Sequence, residues 1–539
     1  MSAPIMATTG TTSLSRVSRV AGAVKSRVVS TRRSPIAAAV TFSLLAVASW
    51  TSSAETWRIQ PTFGIQETVT DNVNLTPSDK RRGDLVTELT PGFTIFEKGA
   101  HTSLTGSVSV PVLLYLKTPV ENNTTYVQAN IFGTAELVER ILFIDAAVNS
   151  SQQFLTPFGA QPDSLASGTD NRVRTQSYRV SPYVKGEAGS NISYLLRDDN
   201  IWTNLSGSPV STNNAYTNQL IMTVHREPVP LGWQLDYNRN DVQFTDQGAQ
   251  LMELERVRVL YNPDPAIEIG GSVGYERNDF PLSSYSGVTY GVSAKWHPSE
   301  RAKLDTFWEH RFFGSSYGVS LDYRSPLSVW AVRASRDITT YPQQIASLTG
   351  VGNISTLLNN LFASRIVDPT QRQNVVDALI REGNLPETLS GPVNLYSQQV
   401  TLQDSLYATA GLLGARNSVF VSAFYLKSTP ISGSGQALPP ILSNTANNNN
   451  AQTGANVVLT HKLTPLLSFS GTVDWSRTVA NPPFDQVTKQ GAVRTVLSAP
   501  ISTQTTVFGG LRYQLQTSNI PDNGYHEVAG FVGLSYLFH

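Results

Sequence analysis

Residues 525–538 read Tyr-His-Glu-Val-Ala-Gly-Phe-Val-Gly-Leu-Ser-Tyr-Leu-Phe, and their alternation decides the fold. Val528, Val532, Leu534, Tyr536 and Phe538 share one parity. Glu527, Ala529, Gly533 and Ser535 share the other, with Phe531 as a misfit. Successive side chains of a strand point to opposite faces, so a period of two marks an extended segment with one apolar face. The rule repeats upstream. Val288, Tyr290, Val292, Ala294 and Trp296 alternate with Thr289, Gly291, Ser293 and Lys295. Leu304, Thr306, Trp308 and Phe312 alternate with Lys303, Asp305, Glu309 and Arg311. About 22 such segments, with 18–24 as the range, fill the chain from Trp57 to Phe538.

The connections between segments alternate in length. Short ones such as Lys98-Gly99, Gly189-Ser190 and Pro298-Ser299 come after even-numbered segments. Longer ones, 71–83, 155–171, 279–284, 431–450 and 480–485, come after odd-numbered segments. Short turns on one side and long loops on the other are the layout of an outer-membrane barrel with both termini on the short-turn side. The segments run to about 12–15 residues, long against the soluble average. Aromatic residues sit near their ends, as in interfacial girdles: Trp57, Tyr115, Tyr126, Phe143, Trp202, Trp233, Tyr261, Trp296, Trp330, Trp475 and Tyr536. The expected fold is an all-β, up-and-down antiparallel transmembrane barrel spanning 55–539, because only a closed sheet can cross lipid with every edge paired. Thr90-Pro91-Gly92, inside the second segment, predicts a bulge or bend.

Composition agrees. Of 539 residues only 15% are charged, with 40 basic and 40 acidic side chains, a net charge of zero and no Cys. This excludes disulfide scaffolds, thiolate metal sites and Cys nucleophiles. A nucleic-acid binder would carry a basic excess, so no nucleic-acid partner is expected. Residues 1–54 read as an export signal. Arg16, Arg19, Lys25, Arg27, Arg32 and Arg33 precede the apolar stretch Pro35 to Trp50, and Ser52-Ser53-Ala54 offers a small-residue cleavage site. The expected location is the Gram-negative outer membrane, and the expected partners include its lipid.

Between 339 and 394 the period turns helical. Asn353 has the character of an N-cap, and Ile354, Leu357, Leu358, Leu361 and Phe362 fall on one helical face. Asp368-Pro369 opens a second helix carrying Val375, Val376, Leu379 and Ile380, stopped near Gly383. The expectation is a helical hairpin in a long outer loop, either a gate over the pore or a self-packed surface loop.

Charges of both signs collect on the inward parity. The candidate pore-lining residues are Arg179, Arg197, Asp236, Arg256, Arg258, Glu268, Lys295, Lys303, Asp305, Glu309, Arg311, Asp322, Arg324, Arg494 and Arg512. Lys185, Glu187, Glu276, Arg333, Asp474 and Glu527 share that parity. Each is either a group that meets a hydrophilic solute or half of an ion pair bracing the wall. The mixed sign argues against a single-sign selectivity ring. The seven His form no HExxH motif, no metal-spaced pair and no supported triad. No phosphate loop or dinucleotide fingerprint occurs, so no catalytic residue, metal or cofactor is assigned and a non-enzymatic protein is expected.

Two patterns carry a family resemblance. Val532, Leu534, Tyr536 and Phe538 resemble the C-terminal signal read by the barrel-assembly machinery, with His539 following the aromatic. Trp57-Arg58-Ile59 with Pro61, then Glu67, Thr70-Asp71-Asn72-Val73 and Leu75, then Asp84-Leu85-Val86 and Leu89-Thr90-Pro91-Gly92-Phe93, resemble the N-terminal signature of the PEP-CTERM system-associated outer-membrane proteins. That resemblance, confined to 57–93, implies a conduit or component for exopolysaccharide export working with periplasmic export proteins. It brings no catalytic residues. A general porin for small hydrophilic solutes and a structural or adhesion barrel are the alternatives.

Overall fold

An amphipathic strand leaves its ladder groups unpaired at both edges until neighbours cover them, and a sheet that closes on itself has no edge left. The chain takes that solution. The computed structural model describes residues 56–538 apart from 208–209, 246–248, 282, 348–353, 363–365, 367–370, 373–374, 377–379, 381–390, 394–398 and 432–447. The expected export signal, Asn353, Asp368-Pro369, Gly383 and most of 431–450 lie outside the described residues, as does the side chain of Leu357.

Every strand pairs antiparallel with the next. The first, Thr56–Thr70, also pairs with the last, Tyr525–Leu537, from Thr62↔Leu537 to Thr70↔Ala529, which closes the wall. The sheet holds 24 strand segments. Two spans are interrupted: Thr102–Ser109 resumes as Val112–Tyr115, and Thr124–Thr125 resumes as Gln128–Val138. The result is a closed 22-strand antiparallel barrel.

The bulge expected at Pro91 is absent. Leu89 faces Val112 and Gly92 faces Ser109, the same offset on both sides of the interruption. Pairing with the first strand is also unbroken, with Phe63 opposite Pro91. The interruption falls instead on the neighbouring strand, at Pro111, which has no N–H to give. The Val110 N–H still donates to the Pro91 carbonyl at 2.9 Å. Gly92 is required by close approach, since a Cβ there would lie 2.6 Å from the Val108 carbonyl oxygen.

The short-turn end is tight, with Gly189 at φ +70° in its turn. The long-loop end is less uniform than expected. The 279–284 connection is short, with Phe280 paired to Ser283.

The two parities separate along most of the wall, with the outer-parity pairs Arg239–Glu253 and Arg277–Asp279 lying toward the long-loop end. Val257, Val273, Val288, Val292, Trp296, Trp330, Val493, Val528 and Val532 are exposed on the outer face. Their inward neighbours Thr289, Glu309, Arg512, Gln514 and Glu527 are buried. Phe531, the misfit of the last strand, faces inward and is buried, with the Arg494 guanidinium 5.0 Å from its ring centre. Three residues expected in the girdles also turn inward. Tyr115 is buried and donates its hydroxyl to the Ala166 carbonyl at 3.1 Å. Tyr126 packs against the same cluster. Phe143 stacks on Tyr183 at 5.1 Å. Among the described residues no helix is long and apolar enough to cross a membrane. The closed wall with its apolar exterior is that of an outer-membrane β-barrel.

Candidate functional site

The inward charges meet in pairs. Arg197 bridges Asp145 at 2.8 Å and Asp199 at 2.7 Å. Arg258 meets Asp236 at 3.1 Å, Lys295 meets Glu268 at 2.8 Å, and His297 meets Asp305 at 2.8 Å. Arg333 holds both oxygens of Asp322 at 2.7 Å. Lys303 lies opposite Asp322 in register, and Arg324 reaches Glu300 at 3.9 Å. Arg179 sits on the inward parity, with Nε buried and without a hydrogen-bond partner among the described residues.

Two arginines farther round the wall reach past a neighbouring strand. Arg256 reaches Glu309 at 3.3 Å although two strands stand between them. Gly274 and Gly291 occupy the intervening inward positions and clear the path. A Cβ at Gly274 would lie 2.8 Å from Arg256 Cγ, and one at Gly291 would lie 3.1 Å from Glu309 Cβ. Arg311 is likewise shared between Glu276 at 2.9 Å and Asp337 at 2.5 Å.

The loop 155–171 folds into the barrel rather than over it. Asn171 fastens its neck, accepting from the Thr156 N–H at 3.0 Å and donating Nδ2 to the Thr156 and Ala160 carbonyls. The tip is then held by inward side chains from far around the wall. The Phe158 carbonyl accepts from Asn523 Nδ2 at 2.6 Å and from Thr488 Oγ1 at 3.3 Å. Gly159 accepts from Gln490 Nε2 at 3.1 Å, and the Asp163 N–H donates to Gln514 Oε1 at 3.3 Å. Ser167 donates to Glu527 Oε1 at 3.0 Å, an atom that also accepts from Thr70 at 2.6 Å and from Arg512 at 3.0 Å. Gln514 Nε2 completes the set on Glu527 Oε2. The Asp163 carboxyl faces open cavity space, and desolvation by the surrounding protein holds it above the usual carboxylate range.

The helical insertion also runs inside. It leaves the wall at Thr339, at the long-loop end. Tyr341, on the short helix Tyr341–Ser347, is buried against Leu155, Val173 and Leu205, and its hydroxyl lies 3.1 Å from Thr175 Oγ1. Ile354, Leu358 and Leu361 of the helix Ile354–Phe362, with Val376, pack against Val329, Phe420 and Val458. Those three wall residues lie near the short-turn ends of Ser328–Thr339, Asn417–Pro430 and Asn450–Lys462. Val393 then exchanges two hydrogen bonds with Gln452, at 2.9 and 3.1 Å, back at the long-loop end. The expected outer hairpin is therefore an inner one, descending the lumen and returning. Residues Gln371, Arg372, Val375, Val376 and Ile380 are helical, in keeping with the second helix.

Two cavities among the described residues bear on function. One of about 420 Å³ lies between the 155–171 loop, Gly391–Val393 and wall residues that include Asp474, Gln490, Gln514 and Tyr525. The other, about 490 Å³, is lined by Arg258, Glu268, Lys295, Asp305, Phe307, Arg333 and Tyr407. Phe307 stands on the inward parity over Gly318, where a Cβ would come 2.2 Å from its ring.

Of the predicted lining residues, Arg258, Glu268, Lys295 and Asp305 share the second cavity, and Arg494 and Arg512 flank the first through Phe531 and Glu527. Arg179 and Arg197 stand elsewhere on the wall. Gln490, Gln514, Asp163 and Tyr525 were not singled out in the sequence, because amides on a polar face carry no distinguishing pattern. Among the described residues no group of three or more His, Cys, Asp and Glu is placed to hold a metal.

No protein-family model matches the chain, and no curated protein does. Solved structures do. The FrpB iron transporter from Neisseria meningitidis (F5-1 variant) aligns over 89% of this chain and 82% of its own, with 8% identity and a TM-score of 0.47. The ferric citrate transporter FecA in its unliganded form aligns over 89% of this chain and 78% of its own, with 8% identity and a TM-score of 0.45. The siderophore receptor PirA from Pseudomonas aeruginosa aligns over 90% of this chain and 82% of its own, with 9% identity and a TM-score of 0.41.

Proposed function

We propose that this barrel is a non-enzymatic outer-membrane conduit for a hydrophilic polymer, an exopolysaccharide delivered by periplasmic export proteins. The observation that carries the reading is a polar lumen occupied by two segments of the same chain, the loop 155–171 and the insertion after Thr339. A wall of amides, hydroxyls and paired charges offers a passing polymer many weak contacts and no deep trap. Internal segments anchored by hydrogen bonds at their necks and tips restrict passage until they are displaced. The resemblance of residues 57–93 to PEP-CTERM system-associated outer-membrane proteins points to the same cargo. The paired charges Arg258–Asp236, Lys295–Glu268 and Arg333–Asp322 then serve as lining whose net field is small.

The test is a deletion strain of the source bacterium. Polysaccharide trapped in the periplasm and lost from the surface supports the reading. Unchanged surface polysaccharide, together with liposome swelling by small sugars, overturns it in favour of a general porin.

A further inference from the structure

The cavity between the 155–171 loop, Gly391–Val393 and the wall has a composition unlike that of the second cavity. Its inward side chains are amides and carboxylates, Gln490, Gln514, Asp163 and Asp474, beside the rings of Tyr525 and Phe424. No Lys, Arg or His lines it among the described residues. Two cations stand behind this lining, each already engaged. Arg512 is consumed by Glu527 at 3.0 Å, with both side chains buried. Arg494 lies beneath the Phe531 ring at 5.0 Å. At about 420 Å³ the space falls in the range of small-ligand pockets.

We infer that this cavity is a binding subsite for uncharged, hydroxyl-rich sugar residues, and that it selects against acidic ones. Resting on the export reading above, this names the cargo class. Primary amides offer donor and acceptor side by side, which matches the paired hydroxyls of a sugar ring. Aromatic rings supply the apolar surface that the C–H faces of the sugar cover. A uronate would bring its carboxylate against Asp163 and Asp474, with no Lys, Arg or His among the described lining residues to pair it, and a charge without a partner is costly.

The experiment is calorimetric titration of the full-length, detergent-folded protein with a linear neutral glucan oligosaccharide and, separately, with an oligogalacturonate. Two variants accompany it. Asp163→Ala removes a lining carboxylate. Gly391→Phe fills the space, since a Cβ at Gly391 meets nothing within 4 Å and the wall is left untouched. The neutral oligomer should bind, the acidic one at least about tenfold more weakly, and each variant should lose at least about tenfold in affinity for the neutral oligomer. A heat-modifiable gel shift checks that each variant is folded, and either folded variant suffices. Absence of neutral binding, equal affinity in a folded variant, or tighter binding of the acidic oligomer overturns the inference. Polysaccharide trapping in the deletion strain reports on the export reading separately. Trapping without neutral-glucan binding sinks only the subsite, and binding without trapping sinks only the export role.

Discussion

Arg512 and Glu527 face each other at 3.0 Å on neighbouring strands, both buried. Glu527 also accepts from Thr70 on the first strand and from Ser167 on the inward loop. Removing one partner of such a pair strands the other as an uncompensated buried charge. Glu527→Ala should therefore cost about 3–5 kcal/mol of stability. The measurement is the urea midpoint of the barrel's heat-modifiable form. An unchanged midpoint would mean that Arg512 finds another partner.

The inward loop predicts a change in conductance. Shortening 157–168 to a single Gly-Ser dipeptide removes the carbonyls held by Asn523, Thr488 and Gln490. Single-channel conductance in planar bilayers should rise. Excising 341–399 should raise it as well. A conductance equal to wild type in both would mean that neither segment restricts the lumen.

The Asp163 carboxyl carries a pH dependence whose sign follows from its cause. Burial in the lumen raises its pKa, with the Arg494 charge opposing and Asp474 adding to the rise, while Arg512 and Glu527 contribute smaller opposing effects. A carboxyl raised in the folded state favours the seated loop while it is protonated. That contribution is complete below the ordinary aspartate range and is lost as pH rises through the raised value. Protease cutting within 155–171 should thus increase with pH in the wild type, and Asp163→Asn should flatten the profile. A slope of the opposite sign would refute the assignment.

The path cleared for Arg256 can be closed. At Gly274 a Cβ would meet the Glu255 carbonyl oxygen at 2.2 Å, whereas at Gly271, on the outer parity, it meets nothing within 4 Å. Gly274→Ala should cost about 1–3 kcal/mol. Gly271→Ala should stay within about 0.5 kcal/mol. Equal midpoints for the two would show that the wall relaxes freely.

On the outer face, Val273 lies mid-strand and is 55% exposed. Val273→Arg should cost about 2–4 kcal/mol in lipid bilayers. The unfolding midpoint in vesicles reads it, and no loss would place Val273 off the lipid face.

Most of the wall was legible because each strand must satisfy two solvents at once, and the period of two records that demand residue by residue. Where the record blurs, a third environment intrudes. Phe420, Phe424 and Leu426 spoil the parity of their strand because they face inward as apolar residues, all three buried, with Phe420 beneath the helix Ile354–Phe362. Tyr115 and Tyr126 mimic a girdle but serve the packing under the loop. The helices were visible from their own period, yet their position inside the barrel was not, since a helix that packs on a wall and one that packs on its neighbour show the same apolar stripe. The course of 155–171 left no trace, because it is held largely through backbone carbonyls, which every residue possesses. At the candidate site, the charged pairs announced themselves, while the amides of the first cavity did not.

The convergence on Glu527 also sets an order of events. Its carboxylate sits on the last strand in chain order and is the acceptor for Thr70, Ser167, Arg512 and Gln514 alike. Until that strand is inserted, Ser167 of the loop and Thr70 of the seam both lack their acceptor. Seating the last strand thus fastens, through one carboxylate, both the seam that seals the wall and the loop that narrows its bore.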